Sequence, residues 1–306
     1  MSKKKKNFDE ATHSESRGVN KIKIGDIVIM VVLSILSLTC IIPFIHVAAK
    51  SISGKAQVLA QNVFFWPKDI TFDAYKAIFN DGTLTHAMGY TVELTLIFTI
   101  LGMIVCTCAA YPLSKKRLKF RSGISLFLLF SMYFSAGLIP EYLLMKNLGL
   151  LNTMWVLILP LIFSPYNTLI MKSFLQSTIP DSLEESAFLD GATNFQILGK
   201  IVLPLSKPII ATLSLFYAVG RWNAYADAKY YVFRVRALQP LQYILSNMIL
   251  SSGTDAISIS EGSLSQNTPE VIQAAAIMFA TLPILCIYPF VQKYFVKGVM
   301  IGAVKG

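Results

Sequence analysis

The chain has 306 residues, of which 54% are hydrophobic and only 14% charged, against about 25% charged in an ordinary soluble domain. A soluble core cannot hide that much apolar side chain, and a mean hydropathy of +0.58 points to a membrane instead. The net charge of +10 does not indicate nucleic acid, because the basic residues gather in short clusters beside long apolar runs rather than along one face.

In chain order, Lys3 to Lys6 open a polar stretch that reads as a cytoplasmic tail over 1–23. The apolar run after it is too long for a signal-peptide core and lacks a small-residue cleavage site, so the first helix is expected to be retained. A hydrocarbon span needs about 20 predominantly apolar residues. On that criterion spans are expected at 24–49, 87–113, 124–145, 154–171, 209–226 and 271–294, with Pro160 and Pro165 interrupting the fourth and polar residues ending the fifth. Lys21 and Lys23 before the first span, and Lys115, Lys116, Arg117, Lys119 and Arg121 between the second and third, mark cytoplasmic flanks by the positive-inside rule. Six spans then place both termini in the cytoplasm and residues 50–86, 146–153 and 227–270 outside. The outer segments also carry basic residues, so the bias is not absolute.

In the last of these outer segments Leu241, Ile244, Leu245, Met248 and Ile249 recur at helical spacing. They predict an amphipathic helix that either covers the bundle or receives an external partner, followed by a loop over 251–269 rich in Ser, Gly and Asn. Cys40, Cys106, Cys108 and Cys286 lie inside apolar runs and His13, His46 and His86 are far apart, so neither disulfides nor a metal site is expected. No Gly-x-x-x-x-Gly-Lys-Ser/Thr sequence is present to cradle nucleotide phosphates. No set of nucleophile, base and orienting residue stands out either, so no catalytic residue and no cofactor are assigned to the chain.

Residues 177–206, IPDSLEESAFLDGATNFQILGKIVLPLS over most of their length, carry their own helix punctuation. Pro180 suits a first helical turn, Ser182 with Glu185 has capping-box spacing, and Gly191 can close a helix in the left-handed region. Thr193 and Gln196 repeat the capping-box spacing, and Pro204 and Pro208 are expected to end a second helix. The prediction is a compact helix, turn and helix.

Glu185, Ala187, Asp190, Gly191, Ala192, Ile201, Leu203 and Pro204 resemble the EAA loop of the permease subunits of ATP-binding-cassette (ABC) importers, with Ser186 where Ala is usual. NLGLLNTMWVLILP, LPLSKPIIATLSLFYAVGRWNAY and the terminal VKGVMIGAVKG are similar to the maltose-permease type. YPLSKKRLKFR and FSAGLIPEYLL resemble a subgroup from Gram-positive bacteria that handles complex sugars. The resemblance implies an all-α integral membrane protein of about six transmembrane helices, the transmembrane domain of a type I importer. In it Glu185, Ser186, Ala187, Asp190, Gly191, Ala192 and Pro204 would couple to a cytoplasmic ATPase. It also implies a second related permease, two ATPase subunits that bind ATP and Mg, and an extracytoplasmic sugar-binding lipoprotein delivering a carbohydrate, with an oligosaccharide favoured.

Ionisable and polar groups within spans suggest a pathway. Glu93 could face the pathway, a second permease or the outer interface. Trp222, Asn223 and Tyr225 with Arg221 offer the aromatic faces and planar hydrogen-bonding groups a sugar ring needs, although Trp222 and Tyr225 also suit an interfacial belt. Asn167 and Gln273 are further polar candidates. An ABC importer of a non-sugar solute shares the loop signature; a secondary transporter would call for internal repeats and several buried charges, which the sequence does not display.

Overall fold

The computed structural model describes residues 24–251 and 269–303, and every regular element among them is helical. The expected tail over 1–23 and the loop positions 252–268 lie outside the described residues. The chain divides into two units, 1–46 and 47–306. The first contributes most of helix α1 (Ile24–Ser51), whose Gly25–Ser51 stretch contains an 18-residue window of mean hydropathy 2.8. Within it the hydroxyls of Ser34, Ser37 and Thr39 donate to the carbonyls one turn back, at 2.8, 2.8 and 2.9 Å. Those bonds satisfy the hydroxyls where lipid offers no partner.

The second unit begins with two short helices, α2 (Lys55–Leu59) and α3 (Asp73–Asp81). Between them the chain folds back on itself: the Gly54 N–H donates to the Lys68 carbonyl and the Thr71 N–H to that of Ile52, both at 3.0 Å. Helix α4 (Thr83–Ser114) follows with 32 residues, a length of about 48 Å that exceeds the roughly 30 Å hydrocarbon thickness. It is therefore long enough to cross the apolar layer with turns to spare.

The expected third span is two helices, α5 (Arg121–Tyr133) and α6 (Leu138–Asn147), bent by 108°. Gly137, at φ 88°, takes a backbone conformation closed to other residues, and Pro140 fits the first turn of α6, where its missing N–H costs nothing. The expected fourth span is likewise not continuous. A 3-10 turn at Met154–Leu157 is followed by irregular chain, and α7 (Pro165–Thr178) begins only where Ser164 caps it by accepting the Asn167 N–H at 3.2 Å. Pro165 opens this helix rather than interrupting it.

After α8 (Asp181–Leu189) and a helical run α9 (Asn194–Leu205) come α10 (Lys207–Asn223), α11 (Ala226–Tyr231), α12 (Leu241–Ser251) and α13 (Pro269–Ala303). By length and hydropathy, three helices among the described residues can each cross a bilayer, within 25–51, 83–114 and 269–286. The bent pairs 121–147 and 194–223 could supply two more.

Helix α4 packs between α7 and α10, and α10 also packs on α13. One buried cluster joins Leu94, Phe98 and Cys106 of α4 to Met171 and Leu175 of α7 and Leu213 and Tyr217 of α10. A second joins α12 to α13 through Leu241, Leu245, Met248, Val271, Ile272 and Ala275, and the Leu241 N–H donates to Thr91 Oγ1 at 2.8 Å, fixing α12 to α4. Of the apolar face expected for α12, Leu241, Leu245 and Met248 are buried and Ile249 is exposed.

At Gly102 the helices come into tight contact: an added Cβ would lie 2.8 Å from Cε1 of the buried Tyr217 ring. A missing side chain thus brings α4 against α10. Gly102→Val is expected to destabilise the detergent-purified protein by about 1–3 kcal/mol through overpacking, lowering its melting temperature. Gly102→Ala, which adds only the Cβ, should lower it by less; an unchanged melting temperature for Gly102→Val would contradict the packing.

Candidate functional site

The 181–205 segment forms two helices joined at a tight turn. Helix α8 starts at Asp181 with Pro180 at its cap position. Ser182 therefore sits inside the first turn, where its carbonyl accepts the Ser186 hydroxyl at 2.9 Å, and the expected Ser182–Glu185 capping box does not form. Gly191, at φ 81°, closes α8 as expected. Its N–H donates to the Phe188 carbonyl and that of Ala192 to the Ala187 carbonyl, both at 3.0 Å, the bonding pattern of a Schellman stop. Thr193 and Gln196 form the expected capping box, the Thr193 N–H reaching Gln196 Oε1 at 2.8 Å.

Pro204 does not end the second helix. The run widens into a π-turn over Leu198–Val202 and continues to Leu205 before an 82° bend at Ser206 leads into α10. Pro204 has no N–H for the Lys200 carbonyl, and the widened turn ahead of it accommodates that loss. Glu185, Ser186, Asp190, Gly191 and Pro204 are exposed, while Ala187 and Ala192 are half-buried. The same surface carries two residues that sequence pattern did not single out, Leu189 and Phe195, 89% and 86% exposed.

A third residue missed in the sequence is Glu184. It is buried in α8 and ion-paired to Lys115, the residue that caps α4. Lys115 Nζ also lies 4.9 Å from the centre of the Tyr111 ring. The next two residues grip the same pair of helices. Lys116 bridges Asp181 at 3.1 Å; Arg117 donates to Asn194 Oδ1 at 2.7 Å and places its guanidinium 4.6 Å from the Phe188 ring centre. Gln176 of α7 donates to the Ser114 carbonyl at 3.2 Å. A basic run that sequence reasoning used only to orient the chain thus holds α8 and α9 against the end of α4.

The candidate pathway residues fall in separate places. Arg221 and Asn167 meet at a cavity of about 140 Å³ that Phe98, Ser164 and Tyr217 also line. The Arg221 side chain is fully buried and is neutralised by Asp227 of α11, with Nη2 to Oδ1 at 3.0 Å. It also donates to the Leu157 carbonyl at 2.9 Å and lies 5.9 Å from the Phe98 ring centre. Trp222 is buried in the cluster that contains α12 and α13. Asn223 is exposed and bonds its own helix at the Val219 carbonyl, 3.0 Å away, and Tyr225 is exposed. Trp222, Asn223 and Tyr225 are therefore not gathered on one surface. Glu93 lies on an exposed face of α4 beside Val92 and Leu96. Gln273 donates to the Met248 carbonyl at 2.6 Å, tying α13 to α12. Among the described residues no three His, Cys, Asp or Glu side chains are placed to hold a metal, and the cysteines are free.

Helices apolar enough to cross a bilayer, with an exposed helix pair braced on the 32-residue α4, are the architecture of a membrane-embedded subunit. The chain belongs to the family of binding-protein-dependent transport system inner membrane components, which matches residues 19–301. It is similar to Protein LplC of Bacillus subtilis, 43% identical over 87% of this chain and 90% of that protein. It is also similar to the polygalacturonan/rhamnogalacturonan transport system permease protein YtcP of the same organism, 40% identical over 94% of this chain and all of that one. Among solved structures, a chain from a bacterial ABC transporter involved in import of the acidic polysaccharide alginate superposes with a TM-score of 0.82. That chain is 33% identical, and the match covers 91% of this chain and 99% of that one.

Arg221→Met would leave Asp227 without its partner, and breaking one half of a buried pair costs roughly 3–5 kcal/mol. The expected outcome is loss of monodisperse protein in detergent size exclusion. Arg221→Met with Asp227→Leu should regain it, and a stable Arg221→Met variant would refute the structural role of the pair.

Proposed function

We propose that the chain is a carbohydrate permease of an ATP-driven importer, with an oligosaccharide as cargo. The observation that carries this reading is the exposed helix pair 181–205, which presents Glu185, Asp190, Leu189 and Phe195 to a partner and is held by ion pairs to the end of α4. Two acceptors for Arg or Lys next to two bare apolar side chains suit a protein cleft, not water alone. The carbohydrate assignment draws on the relatives, whose names include polygalacturonan, rhamnogalacturonan and, at 28% identity, melibiose, raffinose and stachyose. Uronate-bearing oligosaccharides head the list of cargos to test, given YtcP and the alginate importer.

In this reading 1–23, both termini and the coupling segment 177–206 face the cytoplasm, and 50–86 and 227–270 lie outside, where an extracytoplasmic sugar-binding lipoprotein would dock. A second related permease completes the pathway, to which Glu93 and the Asn167–Arg221 cavity contribute. Two ATPase subunits bind ATP and Mg, and their closure displaces α8 and α9 and switches the bundle between outward-facing and inward-facing states. Glu185, Ser186, Ala187, Asp190, Gly191, Ala192 and Pro204 form or shape the docking surface, and this chain needs no cofactor of its own.

A tagged chain purified in mild detergent is expected to bring down a second permease and an ATPase identifiable by mass spectrometry. Glu185→Ala should lower the ATPase activity of that complex by about tenfold or more, by removing a charge-assisted hydrogen bond, while membrane insertion stays normal. A homo-oligomer that recovers no ATPase would reject the importer reading.

A further inference from the structure

Two adjacent glutamates of α8 meet different surroundings. Glu185 is exposed, whereas Glu184 is buried with Lys115 in an ion pair whose side chains are 6% and 9% exposed. Consecutive helical residues are rotated by about 100°, so one helix can offer one carboxylate to an external partner and hold the other against its own chain. We propose that Lys115 and Glu184 are the positioning residues through which movement of α8 and α9 reaches α4, and hence the rest of the bundle. This inference rests on the reading of 181–205 as the ATPase-docking segment.

The placement of the pair favours this role. Lys115 stands at the C-terminal end of α4 and Glu184 in the first turn of α8, so each charge lies at the helix terminus whose dipole stabilises it. A buried ion pair adds little net stability compared with an apolar pair of the same size. It does resist sliding, because a displaced charge would be left unpaired in a medium that does not solvate it. The Arg117 contacts with Asn194 and Phe188 limit rotation about that point, whereas the Lys116–Asp181 bridge is exposed and adds little. Displacement of α8 is then carried by α4, which runs without a break to Thr83 and lies between α7 and α10.

The test uses the assembled importer in nanodiscs, with the exposed Cys40, Cys108 and Cys286 replaced by Ser and Gly89, exposed on α4 with open space around it, replaced by Cys. The probe is the rate of maleimide labelling at position 89 without nucleotide and after trapping with ATP and vanadate. In this background the two rates should differ several-fold, within the range of ordinary coupling. With Glu184→Gln the ATPase should still copurify and the two rates should become equal. The reciprocal exchange Lys115→Glu with Glu184→Lys should restore the difference, whereas Lys116→Ala, at an exposed bridge, should leave it unchanged. A Glu184→Gln complex that keeps the full response overturns the proposal, as does an assembled exchange variant that fails to respond, or a parent complex whose two rates agree. Failure of the unmodified chain to recover any ATPase would instead reject the importer reading itself.

Discussion

A charge removed from water must meet its counter-charge inside the protein, and among the described residues the second unit of this chain meets that constraint in two separate places. Lys115 meets Glu184 where α4 ends, and Arg221 meets Asp227 where α10 gives way to α11. Both pairs lie at helix ends, so the partial charges of the helices add to the pairing. The cost of desolvation leaves few alternative arrangements, because any slip of one helix along another would strand an ion. The end of α4 and the chain at Leu157, whose carbonyl accepts from Arg221, are held at these fixed points.

Between them the packing depends on small side chains and shared polar atoms rather than on burial alone. Gly102 admits the Tyr217 ring, Cys106 sits beside Thr168 at 3.9 Å, and Thr91 takes the first free N–H of α12. In a bilayer the apolar effect does not drive helix against helix, so close contact and internal hydrogen bonds must do so. Such contacts are specific in register, which suits a subunit whose helices must move as connected bodies.

Hydropathy made the membrane class and the positions of α1, α4, α10 and α13 legible, since each is a long run of apolar residues. The breaks were harder to see. Phe134–Gly137 reads as part of one apolar run, and only the backbone at Gly137 reveals the 108° turn. Pro165 looked like an interruption and is a helix start, because Ser164 before it supplies a cap. Gly191 and the Thr193–Gln196 box were legible because their spacing alone defines the geometry. Glu184 was not. It differs from Glu185 by one position and not at all in chemistry, and only the rotation of α8 about its axis relative to α4 decides which carboxylate is buried. Asp227 was hidden for a related reason: it answers Arg221 across the helix break at Ala224, where no periodic spacing links them.

The three consecutive cations at 115–117 also limit how this sequence can drift. Topology by itself counts positive charges, and a lysine anywhere between the second and third spans would serve equally well. Grip is positional: Lys115 enters a buried site, Lys116 reaches over the surface and Arg117 needs a flat guanidinium to cover the Phe188 ring. Moving the charge of Lys115 or Arg117 by a single residue would keep the count of positive charges while releasing α8 and α9. Freedom to shuffle charge should therefore be confined to Lys116, Lys119 and Arg121, and an alignment that scores only basic content across this link would overlook the distinction.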